Sequence, residues 1–308
     1  MSSMPQPESR PLRLVQAAPG LPGPAHATVA MHPPFSIFIH VPKTGGTALK
    51  QAYIKALGPQ LLWYHPVALR DDTSGVRHIQ DLSALPAAQM VRDHRLLGGH
   101  FNYTEIPPEL AAMRPVYLGV IREPIARAKS YYGYLRTNTR HPMHEAIRPC
   151  TLNQALDLPG FVAMLRGGQI RRLCGKPTLK DLRALMATQP FLIGKQEFMP
   201  TFQAGLRKHL GIELQMRKGV NANPTGIEDE LRAQPGYDTA IERLAQLCLA
   251  ETRMFESFGK VLVSRPLRLM TLAREAAHDA NQLLASTQPM PLHDDEAGHL
   301  GRDAHGWR

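Results

Sequence analysis

The run Phe35-Ser-Ile-Phe-Ile-His-Val41 passes directly into Pro42-Lys-Thr-Gly-Gly-Thr47 and then into a helical stripe, and this strand–turn–helix join constrains the fold more than any other feature. Phe35, Ile37, Ile39 and Val41 alternate as residues on one face of a strand do. Leu49, Ala52, Tyr53, Ala56 and Leu57 recur at helical spacing, and Gly58-Pro59 stops them. The join is repeated at Val116-Tyr-Leu-Gly-Val-Ile121, which runs into Arg122-Glu-Pro124. Proline at the first helical position then opens a helix reaching Arg136. A third unit is Phe191-Leu-Ile-Gly194, followed by Phe198, Phe202, Leu206 and Leu210 and ended by Gly211. One more helix is expected over Tyr237 to Phe258. Strands alternating with helices predict an α/β fold, with a central, mainly parallel sheet flanked by helices. There is no internal repeat.

Composition sets the limits of this body. With 308 residues and 43% hydrophobic content, the chain can bury a substantial core. Residues 1–34 hold eight prolines and little apolar periodicity, and are expected to form a disordered leader. Residues 265–308 read as a C-terminal extension, partly helical and frayed from Arg302 onward. The leader and the extension nearly cancel in charge, so 35–264 carries the whole formal charge of +10. A basic body points to a polyanion or a highly charged small molecule in a working cleft. Nucleic acid is disfavoured by the 6% aromatic content and the lack of a recognisable binding motif. The three cysteines, at 150, 174 and 248, are too scattered for a disulfide framework or a zinc site. No apolar run reaches the length of a membrane span, and no secretory signal is apparent. A cytoplasmic protein without stable membrane insertion is expected.

The turn Pro42-Lys43-Thr44-Gly45-Gly46-Thr47 carries the strongest chemical signal. Where a strand becomes a helix, backbone N–H groups converge and the helix dipole adds positive character. Gly45 and Gly46 let an anion approach the chain, Lys43 adds a full charge, and Thr44 and Thr47 offer hydroxyls. It is not a Walker A loop, because the lysine precedes the glycines. An ordinary strand-to-helix turn with an exposed lysine would share the spacing.

Arg122-Glu-Pro-Ile-Ala-Arg127-Ala-Lys129-Ser130 is a second basic element at another strand end. The planar fork of Arg122 suits a phosphate. Ser130 lies about two turns into the following helix. Arg127 and Lys129 add charge nearby, although Arg127 could instead pair with Glu123 across one turn. Two anion sites at neighbouring strand ends imply one ligand with two separated anionic groups.

Together, Pro42–Thr47 and Arg122-x-Pro-x-x-Arg-x-x-Ser130 resemble the paired signatures of sulfotransferases that use 3′-phosphoadenosine 5′-phosphosulfate (PAPS). The similarity is to the carbohydrate sulfotransferase group that includes heparan sulfate 2-O-sulfotransferase and many bacterial relatives. Gly99-His100-Phe101, Gln169 to Gly175, Ile193-Gly194-x-x-Glu197 and Gly219-Val-Asn221 fit in order, so the resemblance spans about 35–260. It implies a P-loop-like three-layer sandwich and makes 35–264 the sulfotransferase domain. The first motif would hold the 5′-phosphosulfate, and Arg122 with Ser130 the 3′-phosphate. PAP, the desulfated nucleotide, would be the product. The last helix departs from the group's pattern, reading Glu251-Thr-Arg-Met-Phe255.

Sulfuryl transfer to a hydroxyl needs a base, and histidine leads among the fourteen present. His100 follows the apolar run Leu96-Leu97-Gly98-Gly99, which reads as a third strand end on the same face. Related enzymes use histidine in this segment, often as HxH, but here Gly98 holds the first position and only His100 carries over. His40 is the runner-up, better suited to orienting the loop. His94, His141 and His144 are expected at the surface, and Glu105 and Glu197 are weaker bases. Lys43 would relieve charge on the leaving phosphate, and no metal is required. Acceptor specificity is expected in loops over 60–95 and 137–185, whose Arg70, Arg77, Arg92, Arg140, Arg171 and Arg172 would suit an acidic glycan. The leading expectation is a hydroxyl acceptor on a carbohydrate or glycolipid. A nucleotide kinase-like phosphotransferase and a non-catalytic nucleotide- or polyanion-binding module are the alternatives.

Overall fold

In the computed structural model, which describes residues 33–66, 75–216 and 227–286, seven short strands form one sheet. They are β1 (Ser36–Ile39), β2 (Leu61–Tyr64), β3 (Arg77–Ile79), β4 (Leu96–Gly99), β5 (Val116–Ile121), β6 (Phe191–Lys195) and β7 (Val261–Val263). Their order is β3-β2-β4-β1-β5-β6-β7. Every pairing is parallel except β6 with β7. Fourteen α-helices and three short 3-10 helices accompany the sheet among the described residues. The first seven are α1 (Gly46–Leu57), α2 (Ala87–Asp93), α3 (Pro108–Ala112), α4 (Pro124–Thr137), α5 (His144–Ile147), α6 (Leu152–Ala155) and α7 (Pro159–Leu165). The rest are α8 (Gly168–Cys174), α9 (Leu179–Thr188), α10 (Met199–Leu210), α11 (Ile227–Arg232), α12 (Tyr237–Leu247), α13 (Leu249–Ser257) and α14 (Arg265–Ser286).

The strands are apolar throughout because both sheet faces are covered. Phe38, Leu118, Val120 and Leu192 pack under α1, α10 and α14, against Leu49, Tyr53, Phe202 and Leu267. On the opposite face Ile37, Ile39, Tyr117 and Ile193 meet Met90, Leu110, Ile170, Leu182 and Met254 of α2, α3, α8, α9 and α13. This is the expected three-layer α/β sandwich. A separate cluster joins α4 to α5, α6, α7 and α12 through Tyr132, Leu135, Ile147, Phe161 and Leu244.

Two expectations change in detail. The helix over Tyr237 to Phe258 is two helices that break at Cys248. Its halves serve different cores: Ala240 and Leu244 join the α4 cluster, whereas Met254 packs under the sheet. The presumed loops at 60–95 and 137–185 contain β2, β3 and α2, and α5 to α9. The C-terminal extension begins as a packed helix, with Leu267 and Thr271 buried and Thr271 Oγ1 2.8 Å from His209 Nδ1. The leader up to His32, Arg70, the Gly219–Asn221 stretch and the tail from Arg302 lie outside the described residues.

Candidate active site

Strand β1 lies where the sheet changes direction: the chain leaves through α1 toward β2 on one side and later returns to β5 on the other. Crevices for ligands form at such points, beyond the carboxyl ends of the strands. Ile39 is in register with Gly99 of β4 and Gly119 of β5. The residues that follow Ile39 and Gly99, His40 and His100, are therefore neighbours. Their ring centroids are 4.0 Å apart.

After β1 the backbone turns sharply, with Lys43 at φ 70° and Gly45 at φ 83°. Glycine adopts this left-handed region without penalty, whereas lysine does so at a cost. The first helical N–H bonded back is that of Leu49, to Gly45 O at 3.2 Å. The N-terminus of α1 has no side-chain cap and no acidic residue in its first turn, so its donors and dipole remain for a ligand. Gly46 has a steric reason as well, because a Cβ there would lie 1.6 Å from His40 Nε2. Thr44 departs from its expected role. It is fully buried and its hydroxyl donates to Val41 O at 2.8 Å, closing the turn from inside.

Pro42, Lys43, Gly45, Gly46 and Thr47 line a cleft of about 430 Å³ together with His100, Arg122 and Ser130. Lys43 Nζ sits 4.4 Å over the Tyr134 ring, and Arg122 Nη1 donates to Lys43 O at 3.3 Å. Burial lowers the pKa of Lys43, and the Arg122 charge lowers it further. Burial also lowers that of Arg122, opposed by Glu197 and Glu123 and helped by Arg127. Neither forms an ion pair among the described residues. Two partly desolvated cations share one wall without an ion-pair partner, an arrangement that a bound anion would relieve. His40, Gln196, Tyr131, Tyr134 and His141 complete the lining; the last four were not expected there as part of a site.

His100 is pushed down to about 4, first by burial and then by Arg172, His65 and Lys50. His40 is held well below the ordinary imidazole range by burial, by His100 and by the surrounding cations. Both rings are neutral at pH 7, and His100 opens on the cleft with a lone pair able to accept a proton. His94 and His144 are buried, contrary to expectation: their Nδ1 atoms pair with Met90 O and Leu135 O. His141 lies at the cleft, where Met143 N donates to its Nδ1 at 3.1 Å.

Several charged groups serve the framework. Arg127 pairs with the buried Glu251 at 3.3 Å, not with Glu123. Glu123 caps α4 through Ile125 N and Ala126 N, as its place before Pro124 permits. Lys129 is taken by Glu228 at 2.6 Å, so it adds no free charge. Glu105 accepts from Asn102 N, and Glu197 from Glu123 N. Arg92 pairs with Asp93, Arg171 donates to Arg166 O, and Arg77 and Arg140 are exposed. Of the expected loop arginines among the described residues, only Arg172 acts on His40 and His100. Among the described residues no three His, Cys, Asp or Glu side chains are grouped to hold a metal ion, and no helix is long and apolar enough to cross a membrane.

No protein-family model and no curated protein sequence matches the chain. Among solved structures it is similar to a crystal structure of mouse sulfotransferase SULT7A1 complexed with PAP, at 18% identity and a TM-score of 0.37. The match covers 65% of this chain and 62% of that one, so the chain spans less than two thirds of that protein's length. Overlap of this extent says nothing about what the present cleft binds.

Proposed function

We propose that this protein is a PAPS-dependent sulfotransferase acting on a hydroxyl of a carbohydrate or glycolipid, with residues 35–264 as the transfer domain and the cytoplasm as its location. The observation that carries the reading is the shared wall of the cleft. Lys43 with the open N-terminus of α1, Arg122 and Ser130 line one cleft, where Arg122 also reaches the Lys43 carbonyl. The neutral His100 faces the same space. A ligand with one phosphate-type group at each end fits this arrangement, and the paired sequence signatures resemble those of enzymes that bind such a nucleotide.

The nucleotide, when bound, supplies the sulfuryl group and a phosphate that leaves as PAP. The turn Pro42 to Thr47 would hold its 5′ end by the backbone N–H groups that follow Pro42 and by the Thr47 hydroxyl, with Thr44 bracing the turn. Lys43 neutralises charge that builds toward the leaving phosphate, a task that needs no metal ion. Arg122 and Ser130 hold the 3′-phosphate. His100 accepts the proton of the acceptor hydroxyl, and His40 packs on Gly46 to keep the turn in place.

A nucleotide kinase-like phosphotransferase would require a carboxylate to hold magnesium beside the phosphates. The described lining of this cleft includes none. A binding module without catalysis would not need a neutral histidine beside the lysine. Thermal-shift curves with PAPS, PAP, ATP and heparin separate the three. Stabilisation by PAPS and PAP and not by ATP is expected; stabilisation by ATP alone or heparin alone selects an alternative.

A further inference from the structure

Gln169, the first residue of a sequence stretch to which no role has been attached, reaches Arg122 with both ends of its side chain. Its Oε1 accepts from Arg122 N at 2.9 Å and its Nε2 donates to Arg122 O at 3.0 Å. An amide that clasps both backbone groups of one residue fixes the peptide planes on either side of it as a strand neighbour would. Arg122 needs such a hold because it lies just past the end of β5, where the ladder to β6 stops at Ile121 and Lys195.

The clasp is itself anchored. Gln169 N donates to Glu251 Oε1 at 2.5 Å, and Gln169 Nε2 lies 3.4 Å from Glu251 Oε2. Arg127 Nη2 reaches the same Oε2 at 3.3 Å and Leu165 O at 3.3 Å. Gln169 and Glu251 are fully buried and Arg127 is 2% exposed. A buried ion pair is weak evidence of stabilisation, since apolar residues of similar volume often serve as well. Here the pair also orients an acceptor toward the residue that grips Arg122. On the facing side, Glu197 takes Glu123 N, so the Arg122-Glu123 dipeptide is held from two elements.

We propose that Gln169 and the Glu251–Arg127 pair are positioning residues for the Arg122 anion site, setting the preference for a nucleotide that carries a 3′-phosphate. The inference rests on the reading of Arg122 as the 3′-phosphate ligand. Neither Gln169 nor Glu251 lines the cleft, so they act through Arg122. Their signature is therefore selective: loss of affinity for the 3′-phosphate, with the 5′ end bound as before.

The test is calorimetric binding of PAP and of adenosine 5′-monophosphate, which lacks the 3′-phosphate, to the full chain and three variants. Wild type is expected to prefer PAP by at least about tenfold, the scale of a charge-assisted contact. Gln169→Leu and the double variant Arg127→Met/Glu251→Leu are expected to lose most of that preference while binding the monophosphate as wild type does. The double variant removes both buried charges together, so it is expected to fold where a single change leaves one charge unpaired. Arg122→Ala is the reference for complete loss. If Arg122→Ala loses the preference while Gln169→Leu and the double variant, folded by their melting curves, keep it, the positioning role is overturned and the functional reading stands. If wild type itself shows no preference for PAP, the functional reading fails and the positioning role fails with it.

Discussion

The imidazoles of His40 and His100 lie with ring centroids 4.0 Å apart and planes tilted by 34°. Each follows the last residue of its strand, so the parallel register of β1 and β4 alone brings them together. A proton on one raises the cost of a proton on the other, and both are already depressed by burial.

This has a consequence for pH. An ordinary histidine titrates at about 6.5. The structure moves His100 to about 4, so it remains a free base at mildly acidic pH. Turnover is expected to rise through about pH 4 and stay flat from pH 5 to 7 as far as this group controls it. In the unfolded chain histidine binds its proton near the ordinary value, so between about 6.5 and 4 the unfolded state holds more protons. Stability is therefore full above that window and falls as the pH drops through it. Melting curves of wild type and His100→Gln check this, the variant losing less across the same range. An acid limb of turnover centred near 6.5 would place the base elsewhere.

Gly46→Ala should disrupt the turn, since its Cβ would lie 1.6 Å from His40 Nε2. Overpacking of this kind costs about 1–3 kcal/mol, and more where the neighbour cannot move. The double variant Gly46→Ala/His40→Ala is expected to recover much of the loss, because the ring that blocks the methyl is gone. Chemical denaturation of the four proteins in this cycle measures the coupling. Additive losses would mean that the contact does not hold the turn.

Lys43 permits a cleaner charge deletion than alanine gives. At φ 70°, Lys43→Gly removes the ammonium and relieves the left-handed backbone, whereas Lys43→Ala keeps the strain. The glycine variant should be the more stable of the two by about 1 kcal/mol. Both should lower turnover by at least about a hundredfold, with a much smaller loss of nucleotide affinity. Turnover within a few-fold of wild type in either variant would remove Lys43 from the mechanism.

Arg122→Ala is expected to weaken PAP binding by about 1.5–3 kcal/mol, and Ser130→Ala by less, since only the arginine donates a charge-assisted pair. For a ligand without the 3′-phosphate both losses should nearly vanish in the same titration. Equal losses for both ligands would separate Arg122 from the 3′ end.

The sheet was legible wherever one short apolar run met a turn with a distinct residue. Phe35 to Val41, Val116 to Ile121 and Phe191 to Gly194 are β1, β5 and β6 to within one or two residues at each end, and Gly58 and Gly211 end their helices as read. Leu61–Tyr64 has no alternation and no turn signal of its own, so β2 was hidden inside an apparent loop. The cleft's cationic wall was legible because Lys43, Arg122 and Ser130 stand at strand ends or on the helix that follows. Its support was not. Gln169 and Glu251 lie 82 residues apart, and no local spacing says that a buried glutamine will clasp the backbone of Arg122. The Thr44 hydroxyl was misjudged for a similar reason: in the folded turn the nearest acceptor is Val41 O, three residues back.

The central claim is transfer of a sulfuryl group, and the direct measurement uses PAPS labelled at the sulfur. Purified wild-type protein, Lys43→Gly and His100→Gln are each incubated with the label and a carbohydrate- and glycolipid-containing cell extract, and the labelled product is identified by mass. The account predicts label in an O-sulfate ester with wild type and a loss of about 10²–10⁴ with His100→Gln, the usual worth of a positioned base. Lys43→Gly should lose at least about a hundredfold. Label transferred equally by all three proteins, or phosphate transferred from ATP in place of sulfate from PAPS, would contradict it.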